Sequence, residues 1–224
     1  MANPAPRVTN RVIHTVLRRV EAAVVNWKEP IVTRISRERS PYKVLISCVL
    51  SLRTQDATTE KASERLFALA ATPAAMLALS AARIEKAIYP VGFYRTKART
   101  LREISRQLLE RYRGEVPDEI DELLTLPGVG RKTANLVVTY GYDKLGICVD
   151  THVHRIANRW GYVAASSPDK TEMALRETLP RRHWIPLNDL LVTYGQNLCK
   201  PVSPLCSECT ISTWCARIGV TKSR

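Results

Sequence analysis

No apolar run in this 224-residue chain approaches the ~18 residues needed to cross a bilayer, which argues against a helical membrane span. No two alternating apolar segments flank a tight turn, so no strand pair is expected. Low-complexity tracts and internal repeats are also missing. Acidic residues are scarce: none precedes Glu21, and the whole chain has 21 Asp+Glu against 34 Lys+Arg. The resulting charge of +13 points to a polyanionic partner, nucleic acid first and an anionic membrane surface second. An arginine-bearing, acid-free N-terminus is also a feature of transit peptides. Here, however, Val12, Ile13, Val16, Leu17, Val20 and Val24 follow helical spacing, so a docked amphipathic helix in a cytoplasmic protein is expected. Hydrophobic content of 45% suits an ordinary globular protein, with length for one large domain or two small ones.

What is present is helical nearly throughout. Pro30 and the polar run 34–40 read as a connection. Residues 42–52, YKVLISCVLSL, are apolar on every side, which fits a central buried helix better than a buried strand among such neighbours. Thr72-Pro73, Ser80 and Ser167-Pro168 are helix N-cap signals. A Gly-aromatic turn at 89–94 leads into a long amphipathic helix over 95–112. Its apolar side is Ala98, Leu101, Ile104, Leu108 and Tyr112, with Arg95, Lys97, Arg99, Arg102 and Arg106 around the rest. Those cations are either a solvated face or phosphate contacts. Gly114 and Pro117 should end this helix, Asp118 should start another running to 125, and Pro186 should open the last. The fold class expected is all-α, with about ten helices.

The chain is organised around residues 126–154. A Pro-Gly-x-Gly turn, Pro127, Gly128, Val129 and Gly130, is followed at once by Arg131 and Lys132 on a helix start, and eighteen residues after the lysine comes Asp150. Glycines allow close approach to the backbone, and a helix N-terminus attracts anions, so a phosphate contact fits. A tight turn of this kind can equally be a plain connector. A lysine is a nucleophile only as the free amine, which burial and positive neighbours favour. Asp150 precedes a helical pattern marked by Val153, Ile156, Ala157 and Trp160, and Asp is a preferred N-cap; capping and catalysis are compatible.

Cysteine use is lopsided. Cys48 and Cys148 lie in apolar runs and read as buried small hydrophobes. Cys199, Cys206, Cys209 and Cys215 crowd together as C-x6-C-x2-C-x5-C, which argues for a metal site in a chain without a secretory signal. By ligand count, Zn²⁺ and a [4Fe–4S] cluster are equal candidates. A zinc ribbon more typically has two C-x2-C pairs, and only one exists here.

LPGVGRKTAN, with VDTH beginning just before Asp150, is very similar to the endonuclease III family of helix-hairpin-helix DNA glycosylases with AP-lyase activity. The resemblance runs from the first helix to Cys215. It implies a six-helix barrel domain over 34–144 and an iron–sulfur cluster domain built from 1–33 and 145–224, with the active site between them. It implies that Lys132 attacks C1′ of a damaged nucleotide and forms a Schiff base, that Asp150 stabilises the oxocarbenium-like sugar, and that β-elimination then cuts the strand. It assigns the four cysteines to a structural [4Fe–4S] cluster whose loop brings cations, with Lys200 and Arg217 as candidates, toward DNA. The partner implied is double-stranded DNA containing damaged bases (oxidised pyrimidines) or abasic sites, met by a monomer.

Extruding a nucleotide leaves a gap to be filled. In LSLRTQD the family's gap-filling position falls on Arg53, with Gln55 two residues on, and the two remain alternatives. Phe93 stands where the family has an apolar wedge; otherwise it is a core aromatic at a turn. The neighbouring alternative is a monofunctional mismatch glycosylase acting on adenine or thymine, whose members lack a lysine at the position of Lys132. A non-enzymatic DNA-binding module leaves the pair Lys132 and Asp150 unexplained, and an iron–sulfur electron carrier leaves the charge unexplained.

Overall fold

A computed structural model describes residues 7–27 and 40–224. The connection expected at Pro30 and 34–39, and the domain boundary expected at 33/34, lie outside the described residues. Among those described there is no strand, and no helix is long and apolar enough to cross a membrane. In chain order the helices are α1 (Ile13–Val24), α2 (Pro41–Ser51), α3 (Asp56–Leu69), α4 (Pro73–Ala78), α5 (Ala81–Ile88), α6 (Tyr94–Tyr112), α7 (Ile120–Leu123) and α8 (Arg131–Leu136), which continues as a π-helical turn over Val137–Gly141. Then come α9 (Thr151–Arg159), α10 (Pro168–Thr178), a 3₁₀ turn (Arg181–His183) and α11 (Trp184–Asn197). The chain divides into two compact units, Met1–Glu29 with Ile147–Arg224, and Pro30–Gly146.

In the unit Pro30–Gly146, α2 is the central rod. Val44, Leu45, Ile46 and Leu50 are fully enclosed, because α3, α6, α8 and the π-helical turn pack around it. That settles the helix-or-strand ambiguity of the apolar run: a helix apolar on all sides needs neighbours on all sides. Ser40 caps its start, accepting from Lys43 N at 3.3 Å, and Tyr42 Oη meets Ser105 Oγ on α6 at 2.7 Å, so a buried hydroxyl is paired. The expected caps at Thr72 and Ser80 accept from Ala75 N (3.2 Å) and Arg83 N (3.3 Å).

The other unit is built on α1, α9, α10 and α11. Ile13, Val16, Leu17 and Val20 of α1 are buried in one cluster with Ile156, Trp160, Leu187, Leu191 and Tyr194. The amphipathic spacing of the N-terminal segment is therefore a docked helix, as expected. Ser167 caps α10 on Lys170 N at 3.3 Å.

Several expectations are corrected. Lys97 does not belong to the outer cationic face of α6: it is 6% exposed and turned inward with Ala98 and Leu101. Arg106 is exposed but paired with Glu103 and Glu110 of its own helix, whereas Arg95 and Arg99 remain exposed. α6 ends after Tyr112 with Arg113 (φ +54) and Gly114 (φ +85) both left-handed and Gly114 N donating to Leu108 O at 2.8 Å, so the glycine closes the helix as expected, with an arginine sharing the left-handed turn. The helix expected from 118 is only Ile120–Leu123, because Asp118 pairs with Lys144 at 2.9 Å instead of capping it. α11 starts at Trp184, with Pro186 inside its first turn, where a missing N–H costs nothing.

Replacing Ile46 by Ala should cost about 2–5 kcal/mol. In guanidinium unfolding the midpoint should drop at unchanged slope. A loss below about 0.5 kcal/mol would mean that α2 is not the close-packed centre of its unit.

Candidate functional site

The 127–130 turn joins α7 to α8. Gly128 sits at φ +73, a left-handed conformation that glycine adopts without steric cost, and a Cβ there would meet Thr100 Cγ2 at 3.3 Å. Val129 is buried, so its side chain pins the turn to the core and only the backbone on either side is outermost. Gly130 is the N-cap of α8; it is exposed, and a Cβ built on it meets nothing within 4 Å. A smooth, side-chain-free bump at a helix start is a shape that a sugar-phosphate backbone can approach closely.

Arg131 and Lys132, both half-buried, open α8. Asn135 Nδ2 donates back to Arg131 O at 3.0 Å. α8 lies on α2, and the charge of Lys132 is near enough to Cys48 to favour its thiolate, although burial dominates and pushes that thiol up to about 12. Cys48 is thus the inert, buried residue expected, not a competing nucleophile.

Asp150 is the N-cap of α9. Its Oδ1 accepts from both His152 N (2.8 Å) and Val153 N (2.9 Å). Two amides on one oxygen fix the orientation of the carboxylate at the positive end of the helix. A carboxylate held in one orientation is what a developing cation needs opposite it.

At the other end of α9, two arginines grip the start of the cysteine loop. Arg155 Nη2 donates to Cys199 O (2.8 Å), and Arg159 donates to Lys200 O (2.7 Å), Pro201 O (2.7 Å) and Cys199 Sγ (3.5 Å). Gly195 makes room for this, since a Cβ there would lie 2.3 Å from His152 Nδ1. Tyr194 Oη meets Cys209 Sγ at 3.1 Å, and Cys215 Sγ meets Arg159 O at 3.5 Å. All four cysteines are partly buried and unbridged. Burial pushes the thiols of Cys199 and Cys215 up, Cys215 to about 11, and the other three sulfurs act on Cys215 in the same direction. Among the described residues no three His, Cys, Asp or Glu side chains group tightly enough to hold one metal ion. The donor set nevertheless fits an iron–sulfur cluster: four thiols of one loop within electrostatic reach of each other, beside cationic and hydroxyl donors that stabilise thiolate sulfur. Lys200 is half-buried and Arg217 exposed on this loop.

The remaining candidates form a second constellation in the unit Pro30–Gly146. Arg53 and Phe93 lie on different connections, yet the Arg53 guanidinium stands 5.7 Å from the Phe93 ring centroid. Both have positive φ, +52 and +57. Phe93 is 64% exposed and Arg53 is exposed, so Phe93 is not a core aromatic. Gln55 is exposed as well, as the N-cap residue of α3, but its side chain makes no capping bond. Sequence spacing gave no sign of the residue beneath them, Lys97. Its Nζ donates to Leu50 O (2.7 Å), Leu52 O (2.6 Å) and Thr54 Oγ1 (3.1 Å). Burial pushes this ammonium down to about 8, while three acceptors around three N–H donors oppose the loss of its proton.

Comparison with known proteins accords with this geometry. The model of the HhH-GPD superfamily base excision DNA repair protein matches residues 46–181. Endonuclease III of Thermotoga maritima is 48% identical over 182 residues, covering 81% of this chain and 85% of that one. Longer homologues also match: the chain covers 48% of the Arabidopsis thaliana endonuclease III homolog 1, chloroplastic, at 41% identity. A solved non-covalent endonuclease III–DNA complex superposes with a TM-score of 0.83 at 34% identity, over 93% of this chain and 95% of that one. A trapped endonuclease III–DNA covalent intermediate gives 0.81 at 32%, over 93% and 96%.

The cap geometry of Asp150 generates a stability test. Asp150→Ala should cost about 0.5–2 kcal/mol, whereas Asp150→Asn, an equally good N-cap, should cost almost nothing. Equal losses in thermal melts of both variants would show that the charge, not the cap, supports α9.

Proposed function

Because this chain belongs to the endonuclease III family within the HhH-GPD superfamily of base excision DNA repair proteins, we propose that it is a bifunctional DNA glycosylase and AP lyase acting through Lys132. The Lys132 amine attacks C1′ of the damaged nucleotide. The C1′–N-glycosidic bond breaks, and the base leaves with its bonding electrons and takes up a proton. Positive charge builds on C1′ and the ring oxygen as that bond lengthens, and the Asp150 carboxylate stabilises it. The sugar ring then opens to a protonated Schiff base between Nζ and C1′, which acidifies the C2′ hydrogens. Loss of one of these expels the 3′ phosphate by breaking C3′–O. Hydrolysis returns the free amine and releases the cleaved strand end.

The observation that carries this reading is the pairing of roles at two helix starts. Lys132 is half-buried beside the open Gly128–Gly130 turn, and Asp150 is held by two amides. The turn and Arg131 serve as the phosphate contact. Arg53, with Gln55 as the alternative, fills the gap left by the extruded nucleotide, and Phe93 presses into the opposite strand. Exposure supports these roles for Arg53 and Phe93. The unit Pro30–Gly146 serves as the six-helix barrel domain and the other as the cluster domain. Cys199, Cys206, Cys209 and Cys215 hold a [4Fe–4S] cluster, which supplies a rigid cross-link for a loop otherwise made only of turns. The substrate is duplex DNA bearing oxidised pyrimidines or abasic sites, bound by a monomer acting in the cytoplasm on the nucleoid.

With borohydride and duplex DNA carrying one abasic site or thymine glycol, the protein should form a covalent DNA adduct that Lys132→Ala abolishes. Asp150→Asn should slow base release by about 10²–10⁴-fold while the fold is kept. Base release revealed by alkali without any adduct would instead mean a monofunctional glycosylase, and neither product would mean a binding module.

Protein purified without air should contain about four irons per chain and show broad visible charge-transfer absorption. Cys206→Ala should lose both. Stoichiometric zinc in their place would overturn the cluster assignment.

A further inference from the structure

The two connections that carry Arg53 and Phe93 are locked together by polar contacts that neither DNA phosphate binding nor the chemistry at C1′ requires. Gly92 N donates to Thr54 Oγ1 at 3.1 Å. The backbones run so close that a Cβ on Gly92 would lie 2.7 Å from Arg53 O. Thr54 Oγ1 donates to Leu52 O at 3.2 Å and receives Lys97 Nζ at 3.1 Å. The hydroxyl thus uses its one hydrogen and both lone pairs.

Lys97 completes the lock from α6. Its other two donors end on Leu50 O and Leu52 O, carbonyls at the C-terminal end of α2, where the helix dipole favours a cation. A buried lysine is costly, and Phe93 and Arg53 each sit in a left-handed conformation that non-glycine residues resist. Strain of that kind persists only when the surroundings over-determine it. Here three bonds from one ammonium and one from Gly92 do so, directly beneath two exposed side chains stacked 5.7 Å apart.

We propose that Lys97 is a positioning residue for nucleotide extrusion, whose ammonium clamps the Leu52–Gln55 connection to the turn bearing Phe93 so that Arg53 and Phe93 enter the duplex as one preset pair. The inference rests on the reading that these two side chains enter DNA. It assigns Lys97 no contact with substrate. Without the clamp each connection relaxes separately, and the pair must be reassembled at every encounter.

Lys97→Met keeps the length and removes the donors, and Thr54→Val keeps the shape and removes the hydroxyl. The measurement is single-turnover base release from lesion-bearing duplex, set against borohydride trapping on a single-stranded abasic oligonucleotide. The single strand has no partner strand to separate from and no opposite strand to wedge. Each variant should slow duplex base release by about ten- to a hundredfold. Single-strand trapping should stay near the wild-type rate, and the double variant should be no slower than the worse single one. Equal losses on both substrates would reduce Lys97 to a stability residue and overturn the proposal, as would unchanged duplex release. Should Lys97→Met fail to fold by thermal melt, Thr54→Val decides by the same comparison. Arg53→Ala and Phe93→Ala separate the two levels. If neither slows duplex release, the reading of these side chains fails and takes the clamp with it. If they do and Thr54→Val does not, only the clamp fails.

Discussion

An all-helical protein must close the ends of its helices. Each end leaves backbone amides or carbonyls without a partner inside the helix, and this chain closes its carbonyl ends repeatedly with cations from elsewhere. Lys97 covers the end of α2, Arg65 covers Ala87 O (2.8 Å) and Tyr89 O (2.6 Å) at the end of α5, and Arg155 and Arg159 cover the carbonyls that follow α11. A charged donor on a carbonyl is stronger than a neutral one and agrees in sign with the helix dipole. Part of the large positive charge is therefore structural.

The same constraint explains where the candidate functional residues lie. Asp150 and Gly130 are N-cap residues, Gln55 and Phe93 stand at the starts of α3 and α6, and Arg53 follows the end of α2. Helix ends are where backbone direction changes, where side chains can be aimed, and where the partial charges of the helix are greatest. A carboxylate at an N-cap serves the helix and is held in one orientation by it, so the capping role does not conflict with a second one. The two arginines of α9 extend this economy, since one helix carries the fixed carboxylate at its start and the anchors of the cysteine loop near its end.

Legibility from sequence followed the range of the interactions. N-caps at Thr72, Ser80, Ser167 and Asp150 and the amphipathic face of α1 were readable because a cap or an apolar stripe involves residues within about four positions. Arg53 and Phe93 were named only through resemblance, and nothing in spacing indicated that they stack on each other. Lys97 is buried although its charge and its place on an arginine-rich helix point to the surface. Its partners Leu50, Leu52 and Thr54 are more than forty residues away.

The helical class, the glycine turn with its following lysine, the capping aspartate and the four-cysteine loop are all written in consecutive residues, whose local physics is nearly independent of the rest. Tertiary structure alone decided which cations face water and which close a helix, that Val129 is pinned inward while its flanking glycines stand exposed, and that two distant connections share one hydroxyl and one ammonium. Those outcomes depend on which carbonyls are left open once helices have packed, and no local pattern records that.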